Sequence, residues 1–386
     1  MRNRIGTRWA RRAGRILGVV STIPETMTAY LLTGHGGYDA LSLVADHPTP
    51  RPAAGEVLVQ VGACGLNNTD INTRTAWYSG RVTEGITERG ATSGFAAAGT
   101  YGSWSGSELT FPRIQGADVA GEVAAVGDGV DPGRVGDRVL IDPWLLATDP
   151  TDLGAARYVG SEVDGGFAEY CVVPDANAMV IETHLTDAEL ATFPCAYSTA
   201  ENLIGRTGLR SGETVVISGA SGGVGSAAIQ LSRARGARVI AIASPAKADL
   251  LLELGAAAVI DRNDDDLAAA ILDGAGGPID VAADVVGVGA FGPLIEALKP
   301  GGRYSTSGAI AGPQVELNLR DLIYKDLQFT GATVCPPGTF ARVIDAIERG
   351  VVRPLLAETH PLAELVAAQE AFVAKQHVGN IVVTVG

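Results

Sequence analysis

Between residues 193 and 331, apolar positions come in short β-branched runs separated by stretches with helical spacing. The clearest run is T-V-V-I at 214–217, the mark of a strand buried on both faces. Comparable runs predict strands at 214–218, 238–243, 257–260, 279–284, 302–306 and 327–331. Helical patterns lie between them, including 226–235, 247–254 and 291–298. Arg233 and Arg235 fall in the last turn of the first of these, and Gly236 falls just past its end. Alternation of this kind predicts an α/β unit, a doubly wound parallel sheet.

Residues 27–190 have a different rhythm. Short apolar stretches at 27–32, 57–61, 121–126, 138–141 and 167–173 are separated by glycine and proline turns. That pattern predicts a small, barrel-like β-rich domain. Two looser stretches, 79–110 and 147–166, read as surface loops, and a long loop beside a pocket is also a candidate lid. Residues 339–350 read as helical, and 376–385 (Q-H-V-G-N-I-V-V-T-V) as a strand returning to the first domain. The resulting plan places one domain at 27–192, completed by 332–386, and a second at 193–331. Residues 1–26 precede the first strand and read as a disordered extension or an over-long start. Their apolar run at 16–20 is too short for a signal-peptide core, and Arg11-Arg12 lacks the hydrophobic region of a twin-arginine signal.

Composition narrows the function classes. The chain has 386 residues, 46% hydrophobic and 19% charged, with a net charge of −14. Six arginines sit in the first 15 residues, leaving 23 basic residues against 43 acidic ones. Nucleic acid and anionic membranes are therefore poor partners. The four cysteines (64, 171, 195, 335) form no CxxC pair, which argues against a disulfide framework or zinc ribbon and suits the cytoplasm. No apolar run approaches a transmembrane helix.

The stretch after 214–217 carries the first candidate chemistry. Glycines at 219, 222, 223 and 225 turn the chain between a strand and a helix N-terminus. Converging backbone N–H groups and the helix dipole there favour a pyrophosphate. Ser221, Gly222, Gly223 and Val224 form the phosphate-facing part of this turn, a dinucleotide fingerprint whose first glycine is replaced by Ala220. Enzymes that use NAD place an acid at the end of the second strand. Here that strand ends in Ala243-Ser244. Ser244, Lys247 and Arg262 are suited instead to a 2′-phosphate, so NADPH is the expected cofactor; solvated surface cations are the alternative.

The motifs G-L-N-N-T-D (65–70), G-A-D-V-A-G (116–121), V-G-D-R-V (135–139), G-G-F-A-E-Y (165–170), S-T-A (198–200), A-S-G-G-V-G (220–225), E-L-G-A (253–256) and H-V-G-N-I-V-V (377–383) occur in that order. Together the chain from Met27 onward resembles the medium-chain dehydrogenase/reductases, in particular their zinc-free, quinone-oxidoreductase-like (zeta-crystallin-like) branch. The resemblance implies a GroES-like catalytic domain, a Rossmann domain and a cleft between them. It also implies that Lys247 and Arg262 clasp the 2′-phosphate, and that Val286, Ser307 and Gly308 wall the cofactor. Thr199 would touch the nicotinamide side, Asn67 would border the nicotinamide and the substrate oxygen, and Tyr78 would be a pocket tyrosine. The competing structural roles are a turn at Asn67, an exposed Tyr78 and a helix cap at Thr199.

Zinc-dependent relatives carry metal ligands at the positions of Asn67, Ala117 and Asp118, and of Cys195 in P-C-A-Y-S-T-A. One thiolate and one carboxylate do not make a tetrahedral site. Without a Lewis acid, ordinary alcohol oxidation is hard, whereas hydride addition to a conjugated acceptor is easier. The expected function is an NADPH-dependent reductase of a quinone or α,β-unsaturated carbonyl. A zinc-type alcohol dehydrogenase and a catalytically silent NADPH-binding protein remain as alternatives. Apolar alternation at Val315, Leu317 and Leu319, within a stretch read as a sheet edge (302–319), suggests a homodimer.

Overall fold

The computed structural model describes residues 22–95, 102–106, 108–149 and 151–386. The expectation for the N-terminal extension lies outside these residues up to position 21. Beyond that, Thr26 already belongs to the first strand, and Thr49 N donates to Glu25 O at 2.9 Å.

Six parallel strands form one sheet. In spatial order they are Ala258–Asp261, Arg238–Ala243, Thr214–Ile217, Ile279–Asp284, Leu298–Thr306 and Gln328–Gly331. Their sequence ranks run 3-2-1-4-5-6, so the strand order reverses beside Thr214–Ile217, where such sheets open a ligand crevice. Period-two alternation sends neighbouring side chains to opposite faces. Val215 and Ile217 pack in a core with the helices Pro194–Arg206, Gly223–Ala234 and Thr339–Glu348. Val216, between them, joins a separate core with Leu267–Ala275 and Phe291–Ala297. That two-sided burial is why the three residues after Thr214, V-V-I, include no polar position.

The β-rich lobe is built on Glu56–Gly65, which pairs antiparallel with Asp118–Val126 and Tyr170–Pro174. The C-terminal strand Asn380–Thr384 also pairs with it, Val382 opposite Gly65. The chain thus leaves this lobe, builds the parallel sheet and returns to finish the first sheet. Arg74, on the helix Asn68–Thr75, is fully buried and locks the return in place. It donates to Gln369 Oε1 (3.0 Å), Gly36 O (3.1 Å) and Ala91 O (2.8 Å), and stacks 4.4 Å from the Tyr38 ring.

Three expectations are revised. The helix expected at 226–235 begins earlier, as Gly223–Ala234, because its first turn contains glycines whose poor helix propensity masks it. The loop at 79–110 contains a helix, Glu88–Ser93, capped by Thr87; positions 96–101 and 107 of that loop are outside the described residues. The sheet edge is not 302–319. The strand Leu298–Thr306 is covered by Gln328–Gly331, and 313–318 hold no strand. Val315 and Leu319 are nonetheless exposed, together with Ile323, Tyr324 and Phe329.

Candidate active site

The glycine turn has the geometry that its sequence requires. Gly219 has φ +58°, and a Cβ on Gly225 would stand 2.3 Å from Gly219 O, so both need glycine. Gly222 is extended and leads into the helix at Gly223, leaving the first N–H groups of that helix without intrahelical partners. Asp284, fully buried, organises the neighbouring wall. It accepts from Ser218 Oγ, from Tyr304 Oη at 2.7 Å and from Val286 N at 2.8 Å. Beyond it, Ser307 Oγ is buried with no hydrogen-bond partner, next to Gly308. A Cβ on Gly223 would stand 3.2 Å from Asn380 Nδ2, which puts that amide beside the turn from the other lobe.

Ser244 directly follows the second strand, Arg238–Ala243, and Lys247 closes the short turn Pro245–Lys247 after it. Arg262 N donates to Ala243 O at 3.0 Å, bringing the third strand's exit alongside. The second strand itself carries no acid at its end, and Asp261 of the third strand lies opposite Ala243. Burial and the Arg262 charge lower the Lys247 pKa. An approach by Lys247 and Arg262 to one place, in a chain with four lysines and a net charge of −14, suits an anion.

On the facing lobe, Asn67 immediately precedes the helix Asn68–Thr75, and its N–H donates to Asp70 Oδ2 at 2.7 Å. Its side-chain Nδ2 donates to Asp118 Oδ2 at 2.8 Å. The other oxygen of Asp118 accepts from Cys195 N at 2.6 Å, at the start of the helix Pro194–Arg206. Asp118 therefore ties Asn67 to the helix that carries Thr199. Thr199 lies four residues after Cys195, hence on the same helix face, and is partly exposed. It occupies the second turn, so it is not the helix cap. Burial pushes Asp118 up to about 8 despite hydrogen bonds from Asn67 and Cys195, and the Asp70 charge adds to the rise. Burial likewise pushes Asp70 up to about 7.

Tyr78 is half-buried and shares hydrogen bonds with Thr69 and Asn72; burial pushes its hydroxyl up to about 12, keeping it protonated. Tyr158 hydrogen-bonds the Cys195 side chain, and its ring meets Trp144 edge-on at 4.7 Å, with Trp104 against Trp144 at 5.0 Å. Ala117, Val334 and Cys335 complete this apolar wall. Sequence reasoning missed Tyr158, Trp144, Asp284 and Asn380. Only Asn380 had a usable signal, its place in H-V-G-N, because the others are assembled by contacts far apart in sequence.

The donor set does not fit zinc. Asn67 and Ala117 offer no anionic ligand, and Asp118 is already engaged by two N–H donors. Among the described residues no three His, Cys, Asp or Glu side chains are grouped to hold a metal.

Comparison with known proteins places this arrangement. Residues 53–183 match the alcohol dehydrogenase GroES-like domain and residues 223–349 the zinc-binding dehydrogenase family. A protein assigned as an alcohol dehydrogenase from Sinorhizobium meliloti 1021 is 47% identical, with TM-score 0.85, over 95% of this chain and 98% of its own. The chain belongs to the medium-chain dehydrogenase/reductase superfamily. An acryloyl-coenzyme A reductase of Metallosphaera sedula is 28% identical over 93% of this chain and 100% of its own length. A quinone oxidoreductase of Rattus norvegicus is 28% identical over 91% and 95%. As a member of the superfamily, the protein is an oxidoreductase with a GroES-like lobe, a Rossmann lobe and a nicotinamide cofactor. The orphaned Ser307 hydroxyl, the uncapped N–H groups at Gly223 and the close-packed glycine turn fit that cofactor. Among the described residues, no helix is long and apolar enough to cross a membrane.

Proposed function

We propose that this protein is an NADPH-dependent reductase of quinones or α,β-unsaturated carbonyls that works without a metal. The observation that carries this reading is the pairing of Asn67 with Asp118 where zinc-dependent members hold their metal. An amide nitrogen has two N–H groups, and Asp118 takes one. The second is free to meet a substrate oxygen, and the carboxyl group fixes its direction.

When bound, the nicotinamide supplies the hydride. The chain's own residues do the rest. Ser221, Gly222, Gly223 and Val224 hold the pyrophosphate, while Val286, Ser307 and Gly308 wall the cofactor. Ser244, Lys247 and Arg262 hold the 2′-phosphate. Thr199 and Asn67 border the nicotinamide end, and the Asn67 amide stabilises charge that develops on the substrate oxygen. Tyr78, a neutral phenol in a network with Thr69 and Asn72, holds a proton within the site. Conjugation matters because an amide donor is weaker than a Lewis acid; delocalising the charge into an enolate or hydroquinone makes up the difference. The names of the rat and Metallosphaera relatives, a quinone oxidoreductase and an acryloyl-coenzyme A reductase, support this substrate class.

Cofactor choice is testable directly. Replacing Lys247 or Arg262 with Met removes a charge-assisted partner worth roughly 1.5–3 kcal/mol. NADPH affinity should fall about tenfold or more per substitution, with NADH nearly unaffected. Equal losses for both cofactors, or a wild-type preference for NADH, would overturn the assignment.

A further inference from the structure

Two of the four lysines meet between the lobes. Lys247 Nζ, from the parallel-sheet lobe, donates to Lys375 O (3.1 Å) and His377 O (2.8 Å). Lys375 follows the helix Leu365–Ala374, which packs in the core of the β-rich lobe. Its Nζ donates to Asn68 Oδ1 at 3.0 Å and lies 3.7 Å from the Phe372 ring centroid. Neither ammonium has a carboxylate partner among the described residues, whereas Lys299 pairs with Asp280. His377 Nδ1 is buried beside them with no hydrogen-bond partner.

Two ammonium groups thus act on each other without a carboxylate partner among the described residues. Burial and the Lys247 charge bring Lys375 down to about 7. His377 falls to about 4 through burial and both lysines, opposed only by Glu358. Arg262 adds its charge from the third strand's exit. Arrangements of this sort cost stability unless an anion neutralises them. The superfamily's cofactor brings such an anion to the end of the second strand, and Lys247 already stands there.

We infer that Lys375 is a third cation of the phosphate clamp, reaching the cofactor's 2′-phosphate from the lobe opposite Lys247 and Arg262. The inference rests on the NADPH reading and deepens it. It makes Lys375 a specificity-determining residue, and it makes the 2′-phosphate a link between the lobes. Lys375 spends one of its three N–H donors on Asn68, the neighbour of Asn67, which leaves two for a phosphate. It must also be protonated, so the phosphate-bearing nucleotide should bind with proton uptake near and above neutral pH. Lys247 is the charge that acts on it, Arg262 acts in turn on Lys247, and the neighbouring His377, itself flanked by Glu358, is held uncharged. Lys375, brought down to about 7, changes charge across this pH range.

The test uses the cofactor-free full chain with 2′,5′-ADP and with ADP as calorimetric probes. Lys375→Met should weaken 2′,5′-ADP about tenfold at pH 6.5 and leave ADP within about twofold. The same ADP affinity also shows that the variant is folded. Wild type should lose about tenfold in 2′,5′-ADP affinity between pH 6.5 and 8.5, and Lys375→Arg should retain binding and flatten that dependence. Unchanged 2′,5′-ADP binding in Lys375→Met overturns the inference. An equal loss for ADP also does, because it puts the ammonium at the diphosphate. A loss in Lys247→Met with none in Lys375→Met leaves the NADPH reading standing and removes Lys375 from it. Equal wild-type affinity for the two probes, with Lys247→Met neutral, removes both.

Discussion

The Asn67 amide nitrogen donates to Asp118 across 2.8 Å, and both side chains are buried. The same carboxyl group receives the Cys195 N–H, so one buried side chain spans the two lobes and aims the amide. Asn67→Ala should therefore lower kcat for a conjugated substrate by roughly 10²–10³, with little change in KM. Asp118→Ala should reproduce much of that loss by freeing the amide, although Asp118 itself touches no substrate. Steady-state kinetics of both variants check this, and an unchanged kcat in Asn67→Ala would contradict it.

Buried carboxyl groups also set a pH dependence of stability. Burial pushes the Asp70 carboxyl up to about 7 and that of Asp118 up to about 8, well above the ordinary carboxylate range. The folded state therefore binds more protons than the unfolded state between these limits. Stability is full below about pH 4 for these two groups and is lost as pH rises through 7 and 8. The melting temperature should fall between pH 5 and 8, and Asp118→Asn should flatten the upper part of that fall. A melting temperature that rises across this interval in both proteins would count against the burial of these groups as neutral acids.

Metal content gives a separate check. With Asn67 and Ala117 at ligand positions, purified protein should hold no stoichiometric zinc and keep its activity in strong chelators. One zinc per chain, with activity lost on its removal, would restore the alcohol dehydrogenase alternative.

Phe329 is exposed on Gln328–Gly331, the end strand of the parallel sheet, and Val315, Leu319, Ile323 and Tyr324 are exposed just before it in the chain. Such an edge invites pairing with a second copy, and a homodimer is expected. Light scattering should give twice the chain mass at micromolar concentration, and Phe329→Lys should shift it toward the monomer.

How much of this was legible in the sequence follows from the range of the interactions involved. Strand positions in the parallel sheet were readable because both faces are buried and the runs are unbroken, as at Val215–Val216–Ile217. The glycine turn was readable because Gly219 and Gly225 meet steric limits within one segment. The sheet edge was misplaced because alternation at Val315, Leu317 and Leu319 belongs to an exposed segment leading into the helix Leu319–Tyr324. Lys375, Tyr158 and Trp144 were invisible because their meaning depends on partners 100 or more positions away or on a hairpin within a polar loop.

The most direct test of the whole account is a comparison of initial rates with NADPH or NADP for an enone, its saturated ketone and the corresponding primary alcohol, under the same conditions. The account predicts that the enone is reduced far faster than the ketone and that the alcohol is barely oxidised. An alcohol that proves the best substrate, or a ketone reduced as fast as the enone, would contradict it.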